Sequence, residues 1–204
     1  MSNVVPTKGN LIATKKSLEL ARTGFDLMDR KRNILVREMM SLIDDANEIR
    51  GKINAAFAAA YIALQTASIT TGSLQSIVPT VPIDDGFTIL RRSVMGVEIP
   101  EIKYRAPKNH PEYALLSTGT ELDAAFEQFG EVKVLCARLA QIETSVYRLA
   151  HAIKKTQKRV GALKNIIIPG HEETIARITD ALDEKEREEF IRMKVVKRTK
   201  EKNT

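Results

Sequence analysis

Two interleaved counts of seven run through the first third of this chain. From Leu11 the sevens fall on Leu18, Phe25, Arg32, Met39, Ala46, Ile53, Ala60 and Ala67. From Thr14 they fall on Ala21, Met28, Leu35, Leu42, Ile49, Ala56 and Ala63. Only Arg32 and Thr14 are polar, in a chain that is 43% hydrophobic overall. A seam that repeats every 3.5 residues confines the apolar side chains of a helix to a narrow stripe, which must supercoil around a partner. With no proline between Leu11 and Ala67, the pattern predicts an unbroken rod roughly 85 Å long, at about 1.5 Å per residue.

The sevens return near the other end, on Ala125, Val132, Leu139, Val146, Ile153, Val160 and Ile167, with Leu135, Ile142, Leu149 and Leu163 as companions. Between the two runs, residues 68–119 hold five of the seven prolines and four of the ten glycines, which excludes a continuing helix. Within that stretch, 87–94 and 97–104 read as short strands around Met95-Gly96, with Pro100 on an edge. The expectation is a mainly α fold, a long antiparallel two-helix coiled coil with a small β-hairpin-containing cap between the helices. Its parts are an N-terminal helix (1–70), a cap (71–118, hairpin about 87–104) at the end away from both termini, and a C-terminal helix (119–204). The cap shares little core with the rods on this reading. Pro169-Gly170 reads as a break or a kink, after which Ile175, Ile178 and Leu182 resume a helical face ahead of a basic tail.

Setting the seams against each other pairs Leu35 with Ile153, Met39 with Leu149, Leu42 with Val146 and Ile49 with Leu139. That register places the polar misfits Arg32 and Thr156 in one layer. The seam residues are then Phe25, Leu35, Met39, Leu42, Ile49, Ile53, Leu139, Ile142, Val146, Leu149, Ile153 and Val160. At the start, Thr7 or Asn10 is available as N-cap.

The aromatic fraction of 5%, with no Trp, and 28% charged residues fit long solvated helices better than a large globular core. A single cysteine, Cys136, excludes an internal disulfide. The N-terminus has no apolar stretch of signal-peptide kind, and no 18 consecutive apolar residues occur, which implies a cytoplasmic protein. The net charge of +6 is concentrated in the tail, where six cations follow Phe190 against one acid, and over 148–164, where six cations meet none.

No phosphate-binding GxxxxGK[ST] and no GxGxxG is present, and position 175 is Ile, so His171-Glu172 does not open an HExxH pair. The three histidines are scattered, and Cys136 sits at the seam edge as a packed thiol. The residues point to no catalytic, cofactor-binding or metal site, and so to mechanical or adhesive work.

The two ends carry a recognisable pattern. PTKGNLIATKKSLELARTGFDLMDRKRNILVREM (6–39) and KKTQKRVGALKNIIIPGHEETIARITDALDEKEREEFIRMKVVK (154–197) resemble the central-shaft D subunits of A/V-type rotary ATPases, with Gly161 and Lys164 departing from the usual Asn and acid. The resemblance implies a non-catalytic rotor protein, without a cofactor, standing inside a ring of A-type and B-type subunits that bind the nucleotide. It also implies a foot on the small F subunit of the stalk and on a funnel-shaped adaptor to the membrane rotor, so that the protein is peripheral to the membrane without inserting. Tip contacts to the ring then fall to Pro6, Thr7 and Lys8 and to Arg192, Lys194, Lys197 and Arg198, with a basic face along Lys15, Lys16, Arg22, Arg30 and Lys31. Two other classes fit the residues less well. A prefoldin-like coiled-coil holdase should expose apolar helix tips, and a basic coiled-coil nucleic-acid binder should interleave aromatics with its cations.

Overall fold

The first helix begins where a side chain replaces a missing backbone partner. Thr7 Oγ1 accepts from the Asn10 N–H at 3.2 Å, and the Leu11 N–H reaches the Thr7 carbonyl at 3.0 Å. Thr7 is therefore the N-cap, and the Asn10 side chain instead donates to the Val5 carbonyl at 2.8 Å. Helix α1 then runs from Lys8 to Thr71 without interruption. It stops at Gly72, whose φ of 79° only glycine adopts freely and whose N–H returns to the Ser68 carbonyl at 3.1 Å. The computed structural model describes residues 4–72, 86–104 and 119–202, together with 75, 77, 79 and 81. His110 and the prolines at 82, 107 and 111 lie outside the described residues.

Strands β1 (Phe87–Val94) and β2 (Val97–Tyr104) pair antiparallel, Val94 opposite Val97 and Phe87 opposite Tyr104. Both turn residues have positive φ, 49° at Met95 and 78° at Gly96, the arrangement whose twist matches that of the strands. Methionine is strained there, since the left-handed conformation crowds its Cβ. Met95→Asn is expected to stabilise the hairpin by about 1 kcal/mol, since Asn adopts that conformation more readily. Thermal unfolding followed by circular dichroism would register the gain, and an unchanged or lower melting temperature would show that the methionine side chain is needed there.

The second long helix is α2 (Thr120–Ala162), with Glu121 and Asp123 in its first turn where the helix dipole favours acids. A π turn (Leu163–Ile167) follows, and α3 (Ile168–Lys202) continues directly from it. The expected break at Pro169-Gly170 is therefore not present. Proline lacks an N–H, and in an α-helix its ring collides with the carbonyl four residues back, here Asn165. The wider turn just before it relieves that collision, and the Ile168 N–H bonds to the Leu163 carbonyl five residues back.

The π turn also explains a phase change. Ile153, Thr156 and Val160 line the seam before it, and Ile175, Ile178 and Leu182 line it afterwards, each one residue further on than three heptads. The turn absorbs that surplus residue. As a consequence Ile167, counted above as a seam position, is exposed, while Ile168 turns partly inward.

The chain divides into two compact parts. The first contains Met1–Arg32 and Lys154–Thr204. Here the helices run antiparallel, with Lys8 against Glu186 (2.9 Å), Arg22 against Glu172 (2.6 Å) and Arg32 against Gln157 (3.4 Å). Thr156, Val160 and Ile178 are buried, and Arg32, also paired with Asp29 at 2.7 Å, reaches the neighbour of Thr156.

The second part is Asn33–Ile153. Leu35, Leu149 and Ile99 form its buried cluster, with Met39, Leu42, Val94, Val97, Ala152 and Ile153 packed around them. Further along, Ile53, Ala60 and Ala67 of α1 and Ala125, Val132 and Ile142 of α2 are buried, Arg50 pairs with Glu143 at 3.1 Å, and Tyr61 meets Phe129 edge to face.

The hairpin thus lies alongside the middle of α1, not at the end away from the termini. It also shares core with the seam, because Ile99 is only 4% exposed. Two strands cannot hold together alone in water, so the Val94, Val97 and Ile99 face must find cover. The two-residue turn makes Val94/Val97 a hydrogen-bonded pair, and alternation leaves the backbone of Glu98, Pro100 and Ile102 facing outward. Pro100 has no N–H to strand there. The Ile102 N–H donates to Gln141 Oε1 at 2.8 Å, and the Glu98 carbonyl accepts from Arg148 at 3.2 Å. Arg92 pairs with Glu38, so the hairpin is tied to both helices.

Candidate functional site

The residues expected at the tip come from two segments, and the first of these meets α3 through Lys8 and Glu186, six residues before Arg192. Pro6 is half-buried, while Thr7 and Lys8 are exposed. Lys8 Nζ bonds to Glu186, which raises the pKa of the amine above its ordinary value. Arg192, Lys194, Lys197 and Arg198 lie further out on α3, about 9 to 18 Å beyond Glu186 at 1.5 Å per residue. Two of these cations have partners within the helix, Arg192 with Glu188 at 3.5 Å and Lys197 with Glu201 at 3.8 Å.

Every residue of α3 from Asp183 to Glu201 is exposed. The overhang is also apolar, which the count of charges did not reveal. Phe190 is 63% exposed, and Ile191, Met193, Val195 and Val196 are all more than half exposed. Five large apolar side chains within seven residues, at 100° per residue, point to every side of the helix. A flat partner covers one side of a helix, so these five can be buried together only inside a collar. A cue was present in the sequence, since F-I-x-M-x-V-V follows Leu182, the last residue of the seam, with no companion run left to cover it.

The basic face is only partly free. Lys15, Lys16 and Arg30 are exposed and Lys31 is half-buried, but Arg22 is held by Glu172. Of the seam residues, Leu35, Ile53, Ile142, Leu149 and Val160 are buried, and Phe25, Met39, Leu42, Ile49, Leu139, Val146 and Ile153 are half-buried.

A second apolar surface lies within the Asn33–Ile153 part. Tyr61, Ile62 and Ile69 of α1 and Phe126 of α2 are exposed there. One 18-residue window of α1 is apolar enough to pass as a membrane span by length and composition. Among the described residues no group of three or more His, Cys, Asp or Glu side chains is placed to hold a metal, and Cys136 is half-buried.

The family of ATP synthase D subunits matches residues 10–198. The chain is 45% identical over 197 residues to the D subunit of the V-type ATP synthase of Thermotoga neapolitana, covering 96% of this chain and 97% of that protein. It is 38% identical over 199 residues to the D subunit of the A-type ATP synthase of Thermococcus sibiricus (95% and 93% covered) and 37% identical over 199 residues to that of Pyrococcus furiosus (95% and 93%).

Proposed function

The chain belongs to the family of ATP synthase D subunits, and from that premise we propose that it is the non-catalytic central rotor shaft of a V/A-type ATPase or ATP synthase, carrying torque between a nucleotide-hydrolysing ring and a proton- or sodium-conducting membrane rotor. The observation that carries this reading is the α3 overhang, a single exposed helix with large apolar side chains on every side. Such a helix fits the inside of a ring of A-type and B-type subunits. The interleaved cations contribute little each, since an exposed pair is worth at most about 1 kcal/mol, and exchange easily as the helix turns.

On this reading the surface around Tyr61, Ile62, Ile69 and Phe126 belongs to the foot, which meets the funnel-shaped adaptor and the small F subunit of the stalk. Alanine supplies much of the apolar character of α1 there, as in Ala55, Ala56, Ala58, Ala59, Ala60 and Ala63. That composition suits close helix packing against a protein partner and a protein peripheral to the membrane. An exposed apolar end is also what a holdase of prefoldin kind would show. Membership of the family of D subunits favours the rotor.

Reconstitution decides between them. Mixed with A-type and B-type ring subunits, the full chain is expected to form one complex with a single copy per ring, counted by native mass spectrometry. Failure to bind the ring, or binding of unfolded client proteins in its place, would rule the rotor out.

A further inference from the structure

We propose that the Leu163–Ile167 turn, with Pro169 and Gly170 behind it, is a torsional joint in one helix of the pair. Its use within a rotary machine rests on the shaft reading, whereas the joint itself is a property of this chain. A helix resists twisting through its ladder of regular rungs. Here the ladder is wound wide for five residues, no side chain caps the turn, and Pro169 supplies no N–H to the next rung. No residue of the turn is buried, and Lys164, Asn165, Ile166 and Ile167 are all exposed, so packing does not hold it.

Both flanks are held. Before the turn, Val160 is buried and Gln157 is bonded to Arg32; after it, Ile178 is buried and Glu172 is bonded to Arg22. Between Arg22 and Arg32, α1 is continuous. Where a Cβ would stand on Gly24 of α1, or on Gly161 just before the turn, there is nothing within 4 Å. One helix therefore runs straight past a weak point in its neighbour, with anchored contacts on either side. Twist applied to the pair collects at that point.

The surplus residue allows a clean test. Because the seam after the turn lags by one residue, deleting Asn165 together with Pro169→Ala is expected to yield a regular α-helix with both seam segments still in phase. Hydrogen exchange of the full chain, read by mass spectrometry, should show residues 163–174 exchanging at least about tenfold faster than 149–160 in the natural sequence, as weakly held helix segments do. In the straightened variant the two segments should match within about twofold, with no loss of melting temperature. Equal protection in the natural sequence would overturn the joint. So would a variant that exchanges as fast as before, or one that melts lower, since the turn would then be needed to hold the seam.

In the reconstituted complex the straightened variant should assemble normally and lose coupled turnover by roughly threefold or more. Normal assembly with unchanged turnover would overturn its mechanical role. Failure of the natural chain to assemble would instead count against the shaft reading.

Discussion

Leu35→Asp is expected to unfold the helix pair around it. Leu35 is fully buried and packs in one cluster with Leu149 and Ile99. Removing the leucine side chain costs about 2–5 kcal/mol. Placing an unpaired carboxylate there costs several kcal/mol more, or forces it to stay protonated. Together these rival the whole stability of a typical domain, about 5–15 kcal/mol. Helical circular dichroism should be largely lost at 25 °C, and no complex with ring subunits should form. Leu42→Asp, at a half-buried position, should cost less, and Met40→Asp, on the exposed side, should be nearly silent. A folded Leu35→Asp chain with normal melting would show that the buried cluster does not hold the pair together.

Removing residues 190–204 should have the opposite profile, an intact fold with lost ring binding. The overhang is exposed throughout and runs past the Lys8–Glu186 pair, so trimming it exposes no core. Melting should shift by no more than a few degrees, because a lone solvated helix end contributes little beyond its own marginal stability. Affinity for the ring should fall by roughly a hundredfold or more, since five large apolar side chains lose their burial at about 1.5–3 kcal/mol each before the costs of association. Two finer variants separate the causes. Serine at Phe190, Ile191, Met193, Val195 and Val196 should reproduce most of the loss. Glutamine at Arg192, Lys194, Lys197 and Arg198 should weaken binding less, by about tenfold, and mostly at low salt. If the glutamine variant proves the worse of the two, the tip works by charge and the collar is not apolar.

Much of this architecture could be read in the sequence because it repeats. Heptads are a long-range signal, and both helices follow them. The hairpin was legible to the residue, since two β-rich runs flank one glycine. Where it docks was not, because that depends on Ile99 finding Leu35 and Leu149, a contact that no local period encodes. Pro169-Gly170 looked like a break because proline usually ends a helix. The decisive sign was the one-residue lag from Ile153, Thr156 and Val160 to Ile175, Ile178 and Leu182, which a true break would not need to keep. At the tip, cations alternate with the apolar residues of 190–196, so the run is not a continuous apolar stretch and carries no heptad period. The family match extends over residues 10–198, so it takes in both arms together with the hairpin between them.

Past Lys8 the first part of the molecule is one helix thick where it had been two. A push on a surface turns a body in proportion to its distance from the axis. A helix with its side chains is about 10–12 Å across, so a side chain on the overhang acts at a lever of about 5 Å, roughly half that available on the outside of a pair. The same force there delivers about half the turning moment. On the shaft reading proposed above, the overhang suits a spindle point that centres the molecule within an apolar collar. If the molecule is a rotor, the drive is expected lower, where both helices are present, near the level of Arg22 and Glu172. Changes in the overhang should then alter how firmly the shaft is seated, and changes at that lower level how hard it is turned.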